Sequence, residues 1–194
     1  MAWGLGFADD VIDLRARWKL TGQIILSVLA IGLGFEINTI QVPVLQIINL
    51  GSWSWPITIL WIVGVINAIN LIDGLDGLAS GLVIIALACF GILCLWQGQY
   101  SLLILIFVIV GVTLGFWLFN RTSASIFMGD SGSMFLGYVM ALLSIWVTDL
   151  PGRGPSALPL LILAVPILDT GFALFRRFFK GIPFYSADKD HLHH

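Results

Sequence analysis

Adjacent carboxylates open the chain's chemistry. Asp9 and Asp10 stand side by side, with Asp13 shortly after. Neighbouring carboxylates repel unless a cation or proton lies between them, so the pair reads as a divalent-ion or proton-transfer site, or else as a solvated cap. A second cluster runs through NAINLIDGLDGLASG, residues 67–81. Asn67, Asn70 and Asp73 are spaced by three, as are Asp73 and Asp76, so a helix would carry them along one face. Amides and acids at this density beside apolar spans are costly unless they line a polar cavity; the plainer reading is a capped helix end and a turn. A third cluster joins Asn120 and Arg121 to IFMGDSGS, residues 126–133. If a helix begins there, its free N–H groups and dipole suit a phosphate. Asp130 could then hold Mg²⁺ by oxygen and share it with substrate phosphate; simple capping by Ser131 or Ser133 is the alternative. Asp169 sits in an apolar stretch, where an acid is either functional or paired with Arg176 or another helix. Finally, DKDHLHH, residues 188–194, sets His191, His193 and His194 beside acids, suited to metal, diphosphate or proton transfer. A truncated affinity tag is the bland alternative, and Leu192 with the preceding acids argues against it.

These groups must be positioned by a very apolar chain. Of 194 residues, 59% are hydrophobic and 10% charged, with a mean hydropathy of +1.01; ordinary soluble domains carry about 25% charged residues. That excludes a disordered chain, a nucleic-acid binder and a typical soluble enzyme, because one soluble core cannot hide so much apolar surface. At about 20 apolar residues per span, the length allows roughly five to seven membrane helices. Six spans are expected, near residues 20–35, 56–72, 78–96, 101–119, 133–148 and 157–175. Between the first two, residues 36–55 alternate, carry β-branched residues and include Pro43, which predicts a short extended hairpin or interfacial segment on the outer side, not a helix. Trp53, Trp55, Trp96, Trp117 and Trp146 fall near span ends, as in aromatic belts. Cys89 and Cys94 form no disulfide or zinc pattern.

An even span count puts Arg15, Arg17, Lys19, Arg121, Arg176, Arg177, Lys180 and Lys189 on one side, leaving only Arg153 of the nine basic residues opposite. The positive-inside rule makes that side cytoplasmic. Asp9, Asp10, Asp13, Asp73, Asp76, Asp130, Asp188 and Asp190 fall on the same face. No apolar run precedes the Asp pair, so no signal peptide is expected. The fold class expected is therefore an all-α, polytopic membrane helix bundle forming a single domain over residues 1–194.

Taken in order, these motifs resemble the polyprenyl-phosphate N-acetylhexosamine-1-phosphate transferase superfamily (glycosyltransferase family 4). Asp9-Asp10 is similar to the family's aspartate pair, and Arg17-Trp-Lys19-Leu-x-x-Gln23 to the basic stretch after it. NAINLIDGLDGLASG, IFMGDSGSMFLG and DKDHLHH are similar to its later blocks. Family members carry further helices before the aspartate pair and after the histidines, so the chain is expected to be a fragment; the family's N-terminal nucleotide-contacting lysine has no counterpart.

The resemblance implies transfer of N-acetylhexosamine-1-phosphate, GlcNAc-type for preference, from a UDP-sugar to polyprenyl (undecaprenyl) phosphate, with release of UMP. It implies Asp9, Asp10, Asp130, His191, His193 and His194 as catalytic residues. Lys19, Asn70, Asp73, Asp76, Asn120 and Phe127 are the expected substrate contacts, with the uridine near Phe127, Asn120 and Asp73. Asp130 and Asp73 are the expected ligands of Mg²⁺, with Mn²⁺ as a substitute. Expected partners are both substrates, the lipid bilayer and a second copy of the chain, but no nucleic acid. Two alternatives stand beside this reading: an ion- or proton-coupled transporter, which also uses clustered acids and broken helices, and a CDP-alcohol phosphotransferase, whose Asp-Gly pattern lacks its arginine here.

Overall fold

The computed structural model describes residues 1–41, 47–148 and 158–180. Helices α1 (Ala2–Ile12) and α2 (Ala16–Gly32) lead into strands β1 (Thr39–Gln41) and β2 (Ile47–Asn49). A single 3₁₀ turn, Gly51–Trp53, then opens α3 (Ser54–Ile72), followed by α4 (Leu78–Gln97), α5 (Tyr100–Asn120), α6 (Gly129–Thr148), α7 (Leu158–Ile162) and α8 (Ala164–Lys180). The expected helix bundle is present. Among the described residues, four helical segments are long and apolar enough to cross a membrane: Gly51–Ile72, Leu78–Gln97, Tyr100–Asn120 and Gly129–Thr148. α5 is rich in β-branched Ile and Val yet helical, because a segment in hydrocarbon must satisfy its backbone internally.

The other two expected spans are shorter or interrupted. α2 occupies the first and has 17 residues, about 25 Å of rise. The last is broken at Leu163 into α7 and α8. Pro166 falls in the first turn of α8, where its missing N–H cannot extend α7. Asp169 lies on the exposed side of α8. α1 is an element beyond the expected spans: its 11 residues carry Asp9 and Asp10 near their end and are too few for an apolar run that crosses a membrane. Asp149, Arg153 and the histidine block lie outside the described residues.

The expected hairpin forms as an antiparallel ladder, pairing Thr39 with Asn49, Ile40 with Ile48 and Gln41 with Ile47. It is tied to the start of α3. The Ser54 hydroxyl reaches both Glu36 Oε1 (2.6 Å) and the Ile37 carbonyl (2.7 Å), and Thr58 Oγ1 accepts the Ile37 N–H at 2.9 Å.

α3 and α6 form the centre of the bundle, with α1 and α2 along one side and α4 along another. Ile62, Val65, Ile66 and Ile69 of α3 are buried against Met134, Met140 and Ala141 of α6 and Val83, Leu87 and Phe90 of α4. α5 rests on α4 and leaves Ile104, Phe107 and Val112 outward, 66%, 63% and 70% exposed, as a lipid-facing wall would. α3 and α6 approach closely at Gly137, where an added Cβ would lie 2.7 Å from Ile66 Cα. Only a missing side chain permits this contact.

Gly137→Ala is therefore expected to lower stability by ~1–3 kcal/mol through overpacking. Gly64→Ala, where an added Cβ meets nothing within 4 Å, should be neutral or slightly stabilising. Thermal unfolding in detergent compares the two; equal midpoints would deny that the α3–α6 approach is tight.

Candidate active site

The polar residues gather where α1 ends, α2 begins, α3 ends and α6 begins. Lys19 of α2 is the hub. Its Nζ ion-pairs with Asp9 of α1 and sits 3.0 Å from Asp130 Oδ2 of α6. Asp9 is buried, at 4% exposure, and its Oδ1 accepts the Leu14 N–H at 2.9 Å. The far oxygen of Asp130, Oδ1, accepts Asn70 Nδ2 at 2.8 Å. That same amide lies 2.8 Å from Ser133 Oγ, whose hydroxyl donates to the Gly129 carbonyl. One lysine and one amide, from two different helices, thus hold both oxygens of Asp130.

Asp10 does something different from its neighbour. It accepts the backbone N–H groups of Asp130 (2.8 Å) and Ser131 (3.0 Å), and the Ser131 hydroxyl. It is therefore the N-cap of α6, supplied from another helix. Neither serine caps that terminus alone, and the N–H groups read as a phosphate site already carry a carboxylate. Gly129 has φ +63°, and an added Cβ would stand 3.1 Å from Asp10 Oδ2, so both the turn and the approach of Asp10 require glycine. Gly6 likewise lets α1 lie directly on the backbone of Asp130 and Ser131.

These settings move the carboxylates apart electrostatically. Burial, together with the nearby Asp130, pushes Asp9 above the ordinary carboxylate range against the pull of Lys19. Burial also acts to raise Asp10, but the hydrogen bonds from Ser131 and the α6 amides outweigh it and hold the group low. Asp73, just past α3, is pushed up to about 7, first by burial and then by the charge of Asp130.

A second group lies along the α3–α4 turn and the end of α5. Asn120 is buried, with Oδ1 accepting the Gly77 N–H and the Ser80 hydroxyl, both at 3.1 Å, and Nδ2 donating to the Ile126 carbonyl at 2.9 Å. As placed, its amide secures the loop leading to Phe127. Asp76 Oδ2 accepts the Ala124 N–H of the same loop at 3.1 Å. Phe127 projects outward, 76% exposed. Arg121 lies over the Trp117 ring, 5.1 Å from its centroid.

Asp9, Asp10, Lys19, Asn70, Asp73 and Asp130 are thus brought together. Asp76 of the α3–α4 turn and Asn120 at the end of α5 instead hold the adjoining loop that carries Phe127. His191, His193 and His194 lie outside the described residues. Gln23 and Asn67 stand in separate motifs in the sequence, and their pairing emerges only in the fold, where they exchange amide hydrogen bonds between α2 and α3. The available signal was spacing: Gln23 follows Lys19 by four, and Asn67 precedes Asn70 by three.

Residues 1–148 match the family model described as glycosyl transferase family 4. The chain belongs to glycosyl transferase family 4. It is 42% identical over 197 residues to a probable undecaprenyl-phosphate N-acetylglucosaminyl 1-phosphate transferase of Bacillus subtilis, covering 98% of this chain and 54% of that protein. It is 40% identical over 189 residues to a phospho-N-acetylmuramoyl-pentapeptide-transferase of Listeria monocytogenes, covering 90% and 56%. A protein of the same name from Streptococcus equi is 39% identical over 156 residues. The chain spans about half the length of the curated relatives it matches. The matched segment of this family 4 chain contains the whole Asp9–Lys19–Asp130 cluster.

Asp10→Ala should destabilise the fold by ~1–2 kcal/mol, since it uncaps α6 and removes a charge from its positive end. Asp10→Asn keeps an acceptor and should cost less than half as much. Detergent melts on both variants decide it; identical midpoints would mean the cap contributes nothing.

Proposed function

We propose that the protein transfers N-acetylhexosamine-1-phosphate, GlcNAc-1-phosphate for preference, from a UDP-sugar to polyprenyl phosphate at the cytoplasmic membrane face, releasing UMP. This would be the first membrane step of a cell-envelope glycan. The observation that carries the reading is the convergence of Asp9, Lys19, Asn70 and Asp130, from four helices, at one end of an apolar bundle. A lipid phosphate and a soluble nucleotide can meet only at such an end. Membership of the transferase family supports it. The transporter alternative gains nothing here, because the charges sit at helix ends rather than at the midplane.

The donor set fits a hard divalent cation. Asp130 and Asp73 offer carboxylate oxygens, while no group of three or more His, Cys, Asp or Glu among the described residues could hold a metal by itself. Mg²⁺ commonly takes one or two carboxylates and completes its shell with water and substrate phosphate. Mg²⁺, or Mn²⁺ in its place, would be held by Asp130 and Asp73 and would neutralise charge on the diphosphate.

The chain's own residues supply the rest. With Asp10 engaged by α6, the proton-handling role falls to Asp9, which Lys19 holds in an ion pair. It would take the proton from the polyprenyl phosphate, or fix that group, as a lipid phosphate oxygen attacks the β-phosphorus of the UDP-sugar. The bond between the β-phosphorus and the bridging oxygen breaks, and UMP leaves with that oxygen. Lys19, between Asp9 and Asp130, is placed to steady negative charge on the transferring group once substrate displaces one of its partners. Phe127 offers an open ring face to the uracil, on a loop fixed by Asn120 and Asp76. His191, His193 and His194 would act on the diphosphate.

Two measurements test this in membranes carrying the full open reading frame that contains residues 1–194. Asp130→Asn should cut radiolabelled sugar-phosphate transfer to lipid by about 100-fold or more, and wild type should show no UMP exchange into UDP-sugar without lipid. Near-normal transfer in the variant would remove Asp130 from the site, and lipid-independent exchange would instead make an aspartate a covalent nucleophile. Phe127→Ala should raise KM for the UDP-sugar about tenfold, the equivalent of ~1.4 kcal/mol of base stacking, with kcat little changed. An unchanged KM would place the base elsewhere.

A further inference from the structure

Gln23 is 1% exposed, within a helix that otherwise buries Leu26, Ser27, Ala30 and Ile31. Its amide faces that of Asn67 on α3. Asn67 Nδ2 donates to Gln23 Oε1 at 2.7 Å, and Gln23 Nε2 donates back to Asn67 Oδ1 at 3.3 Å. Asn67 Nδ2 also reaches the Val63 carbonyl at 2.8 Å. The pair is a closed two-way bracket in an apolar setting, where a lone amide would be costly.

Its position gives it a purpose beyond packing. Lys19 lies one turn before Gln23 on α2, and Asn70 lies three residues after Asn67 on α3. Residues at those spacings share a helix face. The next rung toward the end of the bundle is thus Lys19, Asp130 and Asn70. An apolar pair of similar volume could fill the same space, but it would let α2 slide or turn against α3. Two reciprocal hydrogen bonds fix one register of α2 on α3, the two helices whose Lys19 Nζ, 3.0 Å from Oδ2, and Asn70 Nδ2, 2.8 Å from Oδ1, meet Asp130.

We propose that Gln23 and Asn67 are positioning residues: their reciprocal amide bond registers α2 on α3 so that Lys19 and Asn70 close on Asp130 from its two sides. This deepens the transferase reading and rests on it for the catalytic consequence alone.

The test uses the full open reading frame and three variants: Gln23→Met, Asn67→Leu and the two combined. The singles leave one amide orphaned and should lose stability; the double restores an apolar contact and should recover most of it. Two readouts follow. Labelling of Lys19 by an amine-acylating reagent at fixed pH, read by mass spectrometry, should rise at least about fivefold in the double as the ion pairs loosen. Turnover of UDP-sugar into lipid should stay at least about tenfold down in kcat in that double, with KM little changed. Rescue by Gln23→Asn with Asn67→Gln, which keeps two amides, should return Lys19 to slow labelling. A double apolar variant with wild-type labelling and wild-type kcat would overturn the proposal and leave the pair as packing. If the wild type itself turns over no UDP-sugar, the transferase reading fails, and the Lys19 labelling still decides the positioning role.

Discussion

Lys19 stands between two carboxylates that could not otherwise share one end of the bundle. Asp9 and Asp130 come from helices more than 100 residues apart in sequence, and Asp73 adds a third acid whose ionisation is opposed by Asp130. Charges this close, and partly withdrawn from water, are tolerated only when opposite charge and hydrogen bonds answer them. The arrangement therefore ties several placements to one another. α1 must lie directly on α6 for Asp10 to reach its first amides while Asp9 meets the lysine of α2, and the bare backbone at Gly6 allows it. α2 must start at the right height, and α3 must end where Asn70 can take the other oxygen of Asp130. The apolar core sets how the helices pack, but the ionic cluster sets how their ends align.

That division explains what could be read from the residues alone. Long apolar runs announce membrane helices with little ambiguity, so α3, α4, α5 and α6 fall near their expected limits, and alternation with β-branched residues announced the hairpin at 39–49. The acids and amides of the three blocks were legible as one cluster because the expected orientation puts them on one face. Features that depend on a partner were not. α1 is too short to show as a span and is held by α6. The break at Leu163 depends on where Pro166 falls in a helix, which an apolar average conceals. The cap on α6 looked local, with Ser131 and Ser133 in the usual positions, and it comes instead from Asp10 across the bundle. No local pattern predicts a cap donated by another helix.

The neighbouring aspartates show how one helical step separates two duties. Successive residues on a helix point about 100° apart, given 3.6 residues per turn. At the end of α1 that angle sends Asp9 inward to Lys19 and Asp10 across to the first amides of α6. The inward group is buried and held above the ordinary carboxylate range; the outward group is held low by three donors. An adjacent acid pair that looks redundant in sequence is thus resolved by geometry into one group buried against Lys19 and one bound to the first amides of α6 as a structural anchor. The two are coupled through the backbone of Asp130, whose N–H binds Asp10 while its side chain answers Lys19. Any motion of α1 would reach the cap and the ion pair together, so the fold and the site cannot be adjusted independently at this end of the molecule.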